Sequence, residues 1–411
     1  MQSIATTPSR SRALEFGIYR DGDNNLDLSQ SAAVAQALQS SRSDSAVEYT
    51  VEDTTAQSSA HTSRAARLHT DDFTIADGKI ADVHTGKPRD MSDESNLARF
   101  VARTLDNAEA DGVKQTWIDL VDHGGGDGGG LQTGDGSCMS MPDIAKAISD
   151  GVALHAKEHP EDAGRNVDGV VANQCLMDTM GFADALSHAG VKYLAASPET
   201  MLAPGTPSSV AHAIAGHAGD PREMARAVVD DVMNTKYFPD DFGGFAPAAA
   251  FDVLDLDPSK IARADAAIKR FNDDAVAGAK DPGTRGVLRD DVASIDGMVR
   301  FPDATKDMPW HADRPAIAVY DTIASDGRLG ATLRSDALAA RNAVGDLVLA
   351  HRESTGFEPF GGADYSDAAG PTLHLPTSKG QIDPWAGGGV SETGNAFYHK
   401  TDADALTGVL A

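Results

Sequence analysis

The chain is short of cysteine, of basic residues and of long apolar runs, and each shortage argues against a class of protein. Only Cys138 and Cys175 occur among 411 residues, so no disulfide framework holds the fold together. The two lack CxxC spacing and HExxH is absent, which argues against a zinc site and leaves any metal ligands unassigned. Lys and Arg number 35 against 62 Asp and Glu, for a net charge of −27. Phosphate recognition needs clustered cations, so nucleic acid is not an expected partner. No run of about 18 apolar residues occurs, so no membrane span is expected. Residues 1–12 are polar, lack the apolar core of a secretory leader and read as a flexible N-terminus. The cytoplasm is then the default location, with export through an unstructured N-terminus left open. A monomer is the default state.

What is present is an ordinary globular composition, 41% hydrophobic and 24% charged. The acidity is lopsided, with 50 Asp against 12 Glu. A salty habitat, many loop caps or metal sites would each produce that bias, and the net negative charge is compatible with cationic substrates or bound calcium.

Two stretches organise the rest. Trp117-Ile118-Asp119-Leu120-Val121 reads as a buried strand that ends at Asp122-His123 and runs into Gly124-Gly125-Gly126. Residues 167–172 read as a second strand, ending at Asn173-Gln174-Cys175-Leu176-Met177. In an open α/β sheet the carboxyl ends of neighbouring strands share one crevice, where ligands bind. His123 and Cys175 are therefore expected to face each other. A thiol needs a nearby base to act as a nucleophile, and a helix N-terminus following it favours the thiolate. Cys138, in the loop after the glycines, has no comparable setting and reads as incidental.

Strand and helix patterns alternate along the chain. A strand at 14–19 runs into Asp21-Gly22-Asp23-Asn24-Asn25-Leu26-Asp27, and an Ala-rich helix follows from about 29 to 38. Further strands are expected at 47–51, 191–196 and 250–254, with a hairpin turning at Asp77-Gly78. Helices are expected after Ser92 or Asp93, at Pro221 and Pro258, and over 337–352. This order implies an α/β fold with a mostly parallel sheet covered on both faces. Residues 13–237 are read as the core and 238–411 as a C-terminal α/β region packing on it, divided at the Gly-, Pro- and aromatic-rich stretch 237–247. Asp21, Asp23, Asn25 and Asp27 alternate like the start of an EF-hand, yet Leu26 replaces the required Gly and Ala32 the bidentate Glu.

Asp21-Gly22-Asp23-Asn24-Asn25-Leu26, Asp122-His123-Gly124-Gly125-Gly126, Cys175-Leu176-Met177 and Ala196-Ser197-Pro198-Glu199 occur in that order with fitting elements between them. In this the chain resembles the clostripain-like cysteine peptidases, of the caspase, gingipain and legumain clan. The resemblance implies a caspase-like three-layer sandwich and peptide-bond hydrolysis by a Cys175–His123 dyad, with peptides or proteins as substrates. It also implies an oxyanion hole from the backbone amides of Gly124 and Cys175. No cofactor is needed for that chemistry, although some members depend on Ca2+. Members prefer Arg or Lys before the cleaved bond. The position two before the nucleophile, usually Asp, is here Asn173, which puts that preference in question; Glu199 is the candidate replacement charge in the pocket. A catalytically inactive binding or regulatory protein of the same fold is the alternative reading, and another Cys-dependent hydrolase or transferase the third.

Overall fold

The computed structural model describes residues 12–43, 45–56, 68–201, 205–235, 250–299, 309–353, 364–381 and 396–411. The expected N-terminal arm at 1–12, apart from Arg12, the boundary stretch at 237–247 and the Gly-rich tail at 383–394 lie outside these.

The strands are β1 (Leu14–Asp21), β2 (Val47–Ala56), β3 (Leu68–Ala76), β4 (Lys79–Gly86), β5 (Gln115–Val121) and β6 (Gly169–Asn173). They continue with β7 (Tyr193–Ala196), β8 (Ala250–Asp255), β9 (Asp313–Pro315), β10 (Val348–Glu353) and β11 (Thr372–His374). Nine form one sheet in the order β10-β8-β7-β6-β5-β1-β2-β3-β4, and β9 pairs with β11 separately. From β2 through β1, β5 and β6 to β7 the pairing is parallel. Only β3 and β8 among the nine run against the rest. The mostly parallel sheet expected from the alternating pattern is present. Strands β8 and β10, both beyond residue 237, hydrogen-bond into that same sheet, so the C-terminal region meets the core through backbone pairing as well as side chains.

Side chains alternate across a strand, and here the alternation sorts them into two cores. Ile118, Leu120, Val170, Ala172, Leu194 and Leu254 face one, under the helices Glu94–Ala110 and Met141–Glu158 and the C-terminal helices. Phe16, Ile18, Trp117, Val121, Val171 and Val253 face the other, under Ala32–Ser43 and Pro221–Asn234. The result is three layers, helix, sheet, helix. The hairpin turns where expected: Asp77 and Gly78 both have positive φ, 52° and 71°, as a tight hairpin turn requires.

Part of the aspartate excess has a structural use. Asp93, Asp220, Asp257 and Asp281 each stand at a helix N-cap and accept from amides of the first turn. One element differs from expectation. The helix expected over 337–352 runs instead over Ala331–Gly345 and stops, and Val348–Glu353 becomes an edge strand against β8. An Ala-rich stretch carries both patterns, and the free edge of β8 decides between them.

Candidate active site

The register of β5 and β6 builds the site. Val121 lies opposite Asn173 in the parallel ladder, so His123 and Cys175 each stand two residues beyond a paired strand end. Both line one cavity of about 230 Å³, together with Gly124, Gly125, Thr200 and Val299. Cys138 lines it too, which its place in the sequence did not indicate. The two loops touch through Gly124, where a Cβ would lie 2.2 Å from the Cys175 carbonyl oxygen and 2.8 Å from Gln174 Cβ. Gln174 binds them from the other side, its Nε2 donating to the His123 carbonyl at 3.0 Å.

The imidazole is held from the loop after β1. His123 Nε2 lies 2.8 Å from Asn25 Oδ1. An amide oxygen only accepts, so this contact puts the ring proton on Nε2 and leaves the lone pair on Nδ1. The neighbouring Asn24 donates to Asp122 Oδ1 at 2.5 Å and to the Gln132 carbonyl at 2.8 Å, tying the same loop to both ends of the glycine run. Burial lowers the pKa of His123 and so favours the neutral ring. Asp122 is held well above the ordinary carboxylate range by burial, reinforced by Asp21.

Cys175 Sγ accepts from the Met201 amide at 3.3 Å. Its pKa is raised, first by burial and then by the carboxylates of Glu199 and Asp122, with the Met201 amide working in the other direction. Both shifts favour the uncharged forms, a thiol at Cys175 and a neutral imidazole at His123. Leu176, next to Cys175, has φ 65°, and Val299 has φ 61°; a β-branched residue in that region is strained. Among the described residues, neither the Gly124 nor the Cys175 amide donates a hydrogen bond.

Asn173 and Glu199, expected at the substrate pocket, are placed differently. The Asn173 side chain is buried and engages one backbone unit, donating to the Thr206 carbonyl at 3.1 Å and accepting from its amide at 2.7 Å. Glu199 is fully buried, its Oε1 accepting from the Thr200 amide at 2.7 Å and the Val299 amide at 2.9 Å. Neither is among the residues lining the cavity; Glu199 sits directly behind two that are. The alternating oxygens after β1 do not converge either. Asp21 accepts from the Asp23 amide, Asn25 faces His123, and Asp27 takes Arg20 and Thr55. The contributions of Asn25, Asn24 and the Met201 amide were not apparent from residue type; the Asn-Asn pair in a turn-rich loop was the one signal.

The C-terminal region buttresses both loops. The Thr372 amide donates to the Asp178 carbonyl at 2.9 Å, and Tyr398 donates to the buried Asp127 in the glycine loop.

No family model and no curated protein sequence matches the chain, but solved structures do. A secreted C11 cysteine protease from Bacteroides thetaiotaomicron, iotapain, superposes with a TM-score of 0.66 at 12% identity, covering 96% of this chain and 100% of that one. The structure of a secreted C11 cysteine protease from the same organism with an irreversible peptide inhibitor gives 0.64 at 14% identity, covering 96% and 99%. An inactive zymogen C11 protease from Parabacteroides distasonis gives 0.62 at 13% identity, over the same shares. The chain has the C11 cysteine protease fold. The cytoplasmic expectation is corrected by these neighbours, since two of them are described as secreted; it rested only on the lack of a recognisable leader. Among the described residues no helix is long and apolar enough to cross a membrane.

Proposed function

We propose that the protein is a cysteine endopeptidase working through Cys175 and His123. The observation that carries this is that both residues, each two positions beyond the paired ends of β5 and β6, line one cavity. His123 Nδ1 takes the thiol proton as Sγ attacks the peptide carbonyl carbon, and the carbonyl π electrons move onto oxygen. The amides of Gly124 and Cys175 donate to that oxyanion; one such donor is typically worth about 10²–10³ in rate. Collapse breaks the C–N bond, and the imidazolium gives its proton to the departing amine. Water then cleaves the thioester, with His123 again the base. No cofactor enters these steps.

The chemistry of the neighbours supports this reading, since one was captured with a peptide inhibitor. A basic side chain before the scissile bond is the specificity we propose. Its support is the Glu199 carboxylate behind Thr200 and Val299 at the cavity wall. The inactive-binding-protein reading drew on Asn173 in place of Asp, and Asn173 has a purely structural occupation here.

The test is a panel of fluorogenic peptides varied at the residue before the cleaved bond, with and without Ca2+, beside Cys175→Ala and Cys138→Ala. Cleavage after Arg or Lys should disappear in Cys175→Ala, with a loss on the order of 10⁴-fold or more, and persist in Cys138→Ala. Activity surviving in Cys175→Ala would refute the assignment.

A further inference from the structure

At the end of the sheet away from the cavity, two helices carry a cluster that the peptidase reading does not use. His155 lies in the last turn of the helix Met141–Glu158 and His159 caps it. Four residues apart, they lie on one face, with their rings stacked at 4.9 Å. Asp106, on the helix Glu94–Ala110, faces both. Its Oδ1 is 2.6 Å from His155 Nδ1 and 3.4 Å from His159 Nε2, and one donor atom from each of the three lies within 4.8 Å of the others.

The opposite nitrogen of each ring is also met by a carboxylate. His159 Nδ1 is 2.7 Å from Glu109 Oε2, and His155 Nε2, on a side chain with no exposure, is 3.6 Å from Asp162 Oδ2. A metal-bound histidine shows this arrangement: one nitrogen on the ion, the other N–H toward a carboxylate that fixes the tautomer and raises ligand basicity. An ordinary surface ion pair needs neither the buried second imidazole nor this outer layer. Asp106 and His159 remain about one-third exposed, so an ion can enter from solvent.

We propose that Asp106, His155 and His159 bind a divalent transition metal of the Zn2+ class, with Glu109 and Asp162 orienting the two imidazoles. Two imidazoles and one carboxylate suit Zn2+, Co2+ or Ni2+; Ca2+ and Mg2+ take oxygen ligands. The site clamps the C-terminal ends of the helices that lead into β5 and β6, the strands bearing His123 and Cys175, so its role is structural.

The experiment uses the full chain carrying Cys138→Ser and Cys175→Ala, so that neither thiol competes for metal, stripped with a chelator. Co2+ should then produce the visible ligand-field absorption of an imidazole-bound ion, and Zn2+ should titrate to one equivalent and raise the melting temperature. Ca2+ should do neither. His159→Gln, at a part-exposed position, should abolish the absorption and the Zn2+-dependent shift, and Glu109→Gln should weaken binding about 10–100-fold. No Co2+ absorption, or a Zn2+ isotherm unchanged by His159→Gln, overturns the proposal.

Discussion

Asn25 Oδ1 lies 2.8 Å from Nε2 of His123, so a residue from the loop after the first strand fixes which ring nitrogen of His123 keeps its lone pair. Asn25→Ala should release the ring and lower kcat by about 10–100-fold, the scale of a misplaced catalytic group, with little change in melting temperature. Asn25→Asp should keep the contact and stabilise the imidazolium. In the native protein burial holds His123 below its usual value of 6.5, so the acid limb of kcat/KM should fall below that pH. A facing carboxylate should move it upward by about one unit or more. Profiles of the three proteins decide this; a limb that stays put in Asn25→Asp would separate Asn25 from the base.

Gly124 admits no side chain, because a Cβ there would meet the Cys175 carbonyl at 2.2 Å and Met177 Cγ at 2.9 Å. Gly124→Ala must push the histidine and cysteine loops apart. The expected result is at least a 100-fold loss of kcat/KM for about 1–3 kcal/mol of stability. Paired kinetics and denaturant unfolding measure both.

Asn173→Asp tests whether the position two before Cys175 reads the substrate. The side chain both donates to and accepts from Thr206. A carboxylate cannot donate, so the buried Thr206 carbonyl would lose its partner, at a cost of about 1–3 kcal/mol. The expected outcome is a lower melting temperature with no gain in preference for Arg or Lys. A marked gain would bring this residue to the substrate.

Glu15 is fully buried in β1, where it accepts from Thr50 Oγ1 at 2.6 Å, and burial raises its pKa from 4.5 to about 8. Between those values the folded chain holds a proton that the unfolded chain releases. Its contribution to stability is therefore present below pH 4.5 and is lost as pH rises toward 8. Glu15→Gln should flatten the decline in melting temperature over that window, measured by thermal unfolding at pH 5.5 and 8. An unchanged decline would mean that Glu15 is ionised in the folded protein.

That His123 and Cys175 reach one cavity was legible because each follows a buried apolar run that stops at a polar residue, and strand ends of that kind share an edge. Gly124 announced itself in the same way. Asn25 could be read as part of a turn, but its contact spans 98 residues of chain and exists only once β1 and β5 pair. The side-chain direction of Asn173 depends on a backbone segment 33 residues on, which no local pattern reports. The edge strand Val348–Glu353 was hidden for a related reason: its partner is β8, far back in the sequence.

Because β8 and β10 close the sheet beyond β7, the chain's two halves are not separable parts. A protein cut between 236 and 249 would remain a single particle, two polypeptides sharing one backbone ladder, and would behave as uncut on a sizing column. A fragment ending near 237, expressed alone, would present the bare rim of β7 to solvent and invite self-association.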